Sequence, residues 1–272
     1  MKPRKGIILA GGAGTRLSPL TTAVSKQLLP IYDKPMIFYP LSTLMSCGIN
    51  EIFVITTPRD KKSFEALLGD GSQWGIQISY GIQDKPEGIA QAFLIAEDFI
   101  NGHPTALILG DNLFHGEHLC ELFQKASKRT KGAAVFAYKV HDPARYGVVT
   151  YDSKMRVIDI EEKPSKPKSN YAVTGLYFYD SSAVSRAKKL RPSRRGELEI
   201  TDLNKSYLLD RQLTVELLES GAAWLDTGTP DSLHDAGSYI RTLQKRQDIC
   251  IGCPHTTAVS MGWFPRTDVV LC

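Results

Sequence analysis

Gly6-Ile7-Ile8-Leu9-Ala10-Gly11-Gly12-Ala13-Gly14-Thr15-Arg16-Leu17 decides how this chain reads. The short apolar run from Ile7 to Ala10 predicts a fully buried strand. It ends in three glycines within four residues, and a basic residue follows. Glycine tolerates φ > 0 and lets backbone N–H groups approach a ligand closely. Consecutive exposed amides beside a cation make an anion site, so Gly11, Gly12 and Gly14 read as a phosphate cradle with Arg16 beside it. Ten residues past Arg16, Ser25-Lys26-Gln27-Leu28-Leu29-Pro30 supplies a second cation. Arg16 and Lys26 can thus flank one polyphosphate. The plainer alternative is a tight strand-to-loop turn with no ligand.

Two familiar glycine motifs fail at this loop. A P-loop requires a Gly-Lys-Ser/Thr ending, and no such lysine is present. The dinucleotide fingerprint requires its third glycine where Leu17 stands.

Bulk properties set the frame. A chain of 272 residues can bury a large core, in one domain or two intimate lobes. Its 42% hydrophobic and 23% charged residues are ordinary for a globular protein. A net charge of +4, with basic and acidic residues interleaved, predicts no nucleic-acid partner. No run approaches a membrane span, so no membrane partner is expected. Lys2, Arg4 and Lys5 resemble the basic start of a signal segment, but glycines interrupt the apolar stretch that follows. Five scattered cysteines, an odd number, point to a reducing compartment rather than a disulfide framework. The cytoplasm is the expected location.

The first half alternates. Strands are predicted at 51–56, 76–80 and 105–109, and helices at 34–47, 61–68, 87–100 and 117–128. Alternation of this kind predicts a mostly parallel sheet covered by helices, with ligands beyond the carboxyl ends of its strands. The glycine loop and Asp111 both lie at such ends. The second half changes texture. Strands are expected at 133–140, 146–151, 156–161, 171–179 and 213–217, with helices at 182–190, 199–210 and 230–246.

Several separated segments carry a resemblance. Gly11-Gly12-Ala13-Gly14-Thr15-Arg16-Leu17 and Ser25-Lys26-Gln27 are joined by Leu109-Gly110-Asp111-Asn112 and Glu161-Glu162-Lys163-Pro164. Ala172-Val173-Thr174-Gly175-Leu176-Tyr177, Gly196-Glu197-Leu198-Glu199-Ile200-Thr201-Asp202 and Trp224-Leu225-Asp226-Thr227-Gly228 follow in order. Together they resemble the signature of the sugar-nucleotide pyrophosphorylases, in particular the glucose-1-phosphate thymidylyltransferase branch. The resemblance runs to about residue 245.

It implies a Rossmann-like three-layer α/β sandwich with a mixed, mostly parallel central sheet and a helical C-terminal extension. Residues 1–128 would form a nucleotide-binding lobe and 129–229 a sugar-phosphate-binding lobe of the same domain. Residues 230–272 would form a C-terminal helix and an atypical tail. The implied substrates are dTTP and glucose 1-phosphate, with Mg²⁺ as cofactor and a homo-oligomer, commonly a tetramer, as the assembly.

The implied reaction suits the residues. A phosphate monoester is largely dianionic at neutral pH, its second pKa being about 6. As nucleophile it needs no general base; it needs relief of charge repulsion and in-line placement. Cations and acidic residues are present, and no Ser-His-Asp pattern is. Mg²⁺ takes one or two carboxylates and completes its shell with water and phosphate oxygens. The resemblance assigns those carboxylates to Asp111 and Asp226. Their plainer readings are an Asx turn and a loop cap.

The resemblance assigns the catalytic cations to Arg16, Lys26 and Lys163. It adds Thr15 and Gln27 to the glycine loop on the nucleotide side, Gln83 and Gly88 at the base, and Gly147, Glu162 and Val173 at the glucose. A glutamine amide donates and accepts at once, as a pyrimidine edge requires, and a carboxylate accepts from two hydroxyls. Tyr146 and Tyr177 are candidates to stack on the sugar. Glu199 and Asp202 lie in a matching segment without an assigned role, a helix-cap network being their plainer reading. His115 and His118 read as a helix surface. Cys250, Cys253 and His255 offer too few ligands for zinc.

Overall fold

The computed structural model describes residues 2–265. Its strands are β1 (Lys5–Ala10), β2 (Pro30–Ile31), β3 (Lys34–Pro35), β4 (Glu51–Thr56), β5 (Gln77–Ile82), β6 (Thr105–Leu109), β7 (Asn112–His115), β8 (Ala133–Lys139), β9 (Gly147–Tyr151), β10 (Val157–Glu162), β11 (Tyr171–Tyr179), β12 (Leu213–Leu217) and β13 (Ala223–Asp226). Its helices are α1 (Phe38–Ser46), α2 (Lys61–Leu68), α3 (Gln91–Ile95), α4 (Glu97–Ile100), α5 (Leu119–Ser127), α6 (Ala183–Ala187), α7 (Ile200–Leu209), α8 (Pro230–Gln247) and α9 (Pro254–Ser260).

Nine strands form one mixed sheet, with β1 between β4 and β6. β1 pairs in parallel with both, Ile8 lying opposite Val54 and Ile108. β5 extends the parallel part beyond β4. β11 then pairs antiparallel with β6, and β8 and β9 antiparallel with β11. A short turn joins β9 to β10, which pair antiparallel, whereas β11 reaches β6 and β8 from far along the chain. The β11–β6 pairing also carries the sheet unbroken past residue 128.

Ile7 and Ile8 are both fully buried because neighbouring strand residues face opposite sides of a covered sheet. Ile8, Val54 and Ile108 pack with Leu41 of α1, Phe64 of α2 and Phe123 of α5. Ile7, Ile55 and Leu107 pack with Phe93 of α3, Ala183 of α6 and Leu203 of α7. The fold is therefore the three-layer α/β sandwich. α8 closes a third, smaller cluster with Ile31, Tyr39 and Leu113.

Local chemistry explains the departures. The helix expected over 34–47 starts only at Phe38, because 30–35 form a tiny hairpin with Lys34 opposite Ile31. Pro35 disfavours helix at Lys34, and the buried Lys34 ammonium is held by Asp33 (2.5 Å) and Gln244 (3.2 Å). The helix expected over 87–100 is two short ones. Gly88 has φ +105°, and Ala96 leaves the helical region between α3 and α4. His115 lies on β7, not on a helix, and exposed His118 precedes α5 with φ +63°. In the C-terminal segment expected to be atypical, α9 packs against α1. There Trp74 donates its indole N–H to His255 Nδ1 at 3.0 Å. Among the described residues no group of three or more His, Cys, Asp or Glu is placed to hold a metal. Among the described residues Cys47, Cys120 and Cys250 are free thiols. Cys272 lies outside the described residues. Among the described residues no helix is long and apolar enough to cross a membrane.

Candidate active site

Strands β1 and β6 end side by side, with Leu9 opposite Leu109. The glycine loop leaves one and Asp111 the other. A cavity of about 670 Å³ opens beyond these ends, lined on one side by Thr15, Arg16, Asp111 and Asp226 and on the other by Gly147, Glu162, Lys163 and Val173. These eight are residues the sequence singled out.

Asp226 lies 115 residues after Asp111 in sequence. A two-stranded ladder removes that distance. β13 runs antiparallel to β7, and Asp226 sits opposite Asn112. Thr227 then locks the junction, donating its backbone N–H (3.1 Å) and its hydroxyl (2.8 Å) to the Asp111 carbonyl.

The charges around the two carboxylates are arranged unequally. Lys26 Nζ makes a close ion pair with Asp111 Oδ2, and both side chains are nearly buried. Burial pushes the Asp111 carboxyl up, but the Lys26 ammonium, with Asn112 donating to Oδ1 at 3.0 Å, outweighs it and holds the group below the usual carboxylate range. Asp226 goes the other way. Burial and then repulsion from Asp111 raise it, and Lys26, Arg16 and Arg145 offset only part of that. Arg16 approaches so closely that a Cβ on Gly228 would lie 2.7 Å from its Nη2. Arg145 Nη2 stands 3.8 Å from Asp226 Oδ2. Two neighbouring carboxylates, one raised by burial and then by the other, form a donor set that fits a hard divalent cation.

On the opposite side, Glu162 pairs with Gly147 in the β10–β9 ladder. Its Oε2 accepts the Thr201 hydroxyl at 2.5 Å, and Arg195 Nη2 is 3.5 Å from Oε1. Lys163 follows with φ +42° and donates its backbone N–H to the Tyr146 carbonyl at 2.9 Å. Its ammonium lies 4.0 Å from Glu162, and the side chain is about half exposed. Tyr146 packs edge-on against Trp224 at 5.1 Å, and Tyr177 is buried, stacked near-parallel with Tyr179. Both tyrosines still edge the cavity.

Other expected residues belong to the glycine loop and the segments packed against it. Gln83 is buried against Gly11, and its amide N–H group donates to Gln91 Oε1 at 2.6 Å and reaches the Gly88 carbonyl at 3.5 Å. Gly12 is exposed and Gly14 and Gly88 are partly so, and Gln83 packs beneath Gly11 as support for the loop. Gln27 turns inward. It is buried under Gly110 and accepts the Ser25 hydroxyl at 2.7 Å, so it acts as a strut. Glu199 makes no side-chain cap for α7. It grips Arg195 through two nitrogens, at 3.2 and 2.8 Å, and accepts Ser193 at 2.6 Å.

A family model described as nucleotidyl transferase matches residues 5–242. The chain belongs to the nucleotidyl transferase family. It is 57% identical over 264 residues to a glucose-1-phosphate thymidylyltransferase of Xanthomonas campestris pv. campestris, covering 97% of this chain and 90% of that one. A protein of the same name from Neisseria gonorrhoeae is 55% identical over 265 residues, covering 97% and 92%. A solved Bacillus anthracis structure assigned as a glucose-1-phosphate thymidylyltransferase superposes with TM-score 0.83 at 41% identity, covering 93% of this chain and 99% of that one. A UDP-glucose pyrophosphorylase complexed with UDP-glucose superposes with TM-score 0.76 at 25% identity, covering 90% and 100%.

In this nucleotidyl transferase, reading the sequence missed Arg145 and Arg195 as charges of the site and Thr201 as the partner of Glu162. Arg145 sits in a short 3-10 turn after Pro143, which carries no pattern. Arg195 had a weak signal, the pair Arg194-Arg195 entering the Gly-Glu-Leu-Glu segment.

Proposed function

We propose that this nucleotidyl transferase joins dTTP and glucose 1-phosphate into dTDP-glucose, releasing pyrophosphate. A phosphate oxygen of the sugar 1-phosphate attacks the α-phosphorus of the nucleotide. One P–O bond forms there as the bond to the β-phosphate oxygen breaks, and its electron pair leaves with pyrophosphate. The names of relatives above 50% identity support the thymidylyl and glucosyl assignments.

The supporting observation is the meeting of Asp111, Asp226, Arg16 and Lys26 beyond the ends of β1 and β6. Asp111 and Asp226 would hold Mg²⁺. When bound, the ion would screen phosphate charge and align the reacting groups. Arg16 offsets charge on the transferring phosphate, and Lys26, released from Asp111, offsets charge on the triphosphate. The amides of Gly11, Gly12 and Gly14, with Thr15, follow the β- and γ-phosphates. Gln83 and Gly88 mark the side where the base lies. Lys163 neutralises the sugar phosphate on approach, Glu162 takes two sugar hydroxyls, and Gly147 and Val173 offer backbone groups. We further place the chain in the cytoplasm, on the strength of the free thiols of Cys47, Cys120 and Cys250, and as a homo-oligomer, a tetramer by resemblance. Light scattering on the purified protein tests the assembly.

The deciding assay mixes each of dTTP, UTP, CTP and ATP with glucose 1-phosphate and Mg²⁺ and identifies products by mass. dTDP-glucose as the main product is expected. UDP-glucose at equal or higher rate overturns the thymidylyl assignment, and absence of any nucleotide sugar overturns the transferase reading for this chain.

A further inference from the structure

Asn112 lies between the two walls of the cavity, and its hydrogen bonds permit only one orientation. Its Oδ1 accepts the Gly175 backbone N–H at 3.1 Å and the Trp224 indole N–H at 2.6 Å. Both are obligate donors, so the oxygen of the amide must face them. The NH₂ group is left facing Asp111 Oδ1, at 3.0 Å. The residue is only 3% exposed. A Cβ on Gly175 would lie 2.5 Å from the amide oxygen, so glycine is required for this approach.

The consequence for Asp111 is geometric. Lys26 holds one carboxylate oxygen and Asn112 the other, so the plane of the group is fixed. Asn112 is also the ladder partner of Asp226. Trp224 occupies the same strand two residues before Asp226, on the same face, and its ring meets Tyr146 at the cavity edge.

We infer that Asn112 is a positioning residue that ties the indole of Trp224, at the sugar side, to the carboxylate of Asp111, at the metal side. Trp224 fixes the Asn112 amide, and the amide fixes the carboxylate. Removing the indole N–H therefore frees Asn112 to rotate and loosens the Asp111 carboxylate, although Trp224 touches no metal ligand. The inference rests on the reading of Asp111 and Asp226 as the metal pair. Outer partners of metal-binding carboxylates carry effects of about 10–100-fold on affinity.

The test reads metal affinity, not turnover. Mn²⁺ is titrated into the protein holding α,β-methylene-dTTP, and free Mn²⁺ is followed by electron paramagnetic resonance. Asp111→Asn and Asp226→Ala weaken Mn²⁺ strongly if the metal pair is right; wild-type affinity in both sinks the metal reading itself. With that control in place, Asn112→Leu is expected to weaken Mn²⁺ about 10–100-fold and Trp224→Phe about 3–10-fold. The double variant is expected to match Asn112→Leu alone, because the indole acts only through the amide. Wild-type affinity in Trp224→Phe overturns the coupling, and so does a double variant whose loss is the product of the two single losses. Should Asn112→Leu fail to fold, Trp224→Phe still decides the matter, since phenylalanine keeps the ring packing and removes only the donor.

Discussion

On the glycine-loop wall, one cation is already neutralised. Lys26 is paired with Asp111 in a nearly dry contact, and Arg16 sits against the Asp226 segment. Across the cavity the charges are looser. The Lys163 side chain is about half exposed and 4.0 Å from Glu162, and Glu162 is shared among Thr201, Arg195 and that lysine. A phosphate that recruits Lys26 must draw it from Asp111. Substrate arriving at the second wall mostly displaces water. The cost of an empty site is therefore concentrated where the triphosphate is proposed to bind, and variants there are expected to act more strongly than variants opposite.

The largest effect is expected at Asp111. Asp111→Asn keeps the shape, but it removes the charge that balances Lys26 and turns one of the two accepting oxygens into a donor. Turnover of dTTP with glucose 1-phosphate is expected to fall about 10³-fold, close to 4 kcal/mol in the barrier. A pyrophosphate-release assay checks it; a loss below tenfold would remove Asp111 from the machinery and erase the contrast between the walls. Next comes Lys26→Met, which strands a buried carboxylate. Loss of about 3 kcal/mol of folding stability is expected, because breaking one partner of a buried pair leaves an uncompensated charge. Urea titration measures it, and added Mg²⁺ should return part of the loss. Lys163→Ala on the looser wall is expected to be milder. KM for glucose 1-phosphate should rise about tenfold while KM for dTTP stays put, and the fold should be indifferent. Equal shifts in both constants would mean that the two walls are not separate binding surfaces.

The same contrast marks what the sequence could show. The strand Ile7 to Ala10, its glycine loop and the strand ending at Asp111 are local patterns, because a two-sided buried strand must be apolar throughout and its loop must be glycine-rich. The β7–β13 ladder was illegible. Each strand is only four residues long, too short for a period to be read, and the partners lie more than 100 residues apart. That ladder brings Asp226 to Asp111, and only the resemblance, not any spacing, had joined them. Arg195 and Thr201 were missed for the same reason. Their partner Glu162 lies on a strand that precedes both by more than 30 residues. The inward packing of Gln27 was illegible for another reason. A polar residue between Lys26 and Leu28 gives no sign that its side chain turns inward under Gly110.

The smallest effect, and the finest test of the contrast, is the pH dependence of stability without divalent metal. Asp226 has a folded-state pKa above its ordinary value, from burial and the Asp111 charge. The folded protein then binds that proton more tightly than the unfolded chain. Stability should rise as pH falls through the raised pKa and level off near the ordinary carboxylate value of about 4. Asp111 is depressed, so its contribution has the opposite sign. It is present above the ordinary value and is lost only as pH falls through the lower, folded-state pKa. The two windows do not overlap, and thermal midpoints taken between pH 7 and pH 3 should first rise and then fall. A tenfold difference in proton affinity between the folded and unfolded chain is worth about 1.4 kcal/mol, so both limbs are within reach of a thermal melt. Asp226→Asn should abolish the rise and leave the fall. Mg²⁺ together with dTTP should suppress the rise as well, because a bound cation opposes protonation of Asp226. If the midpoint instead falls steadily from pH 7 in the metal-free protein, Asp226 is not held up by its neighbour, and the charge imbalance that distinguishes the glycine-loop wall is absent.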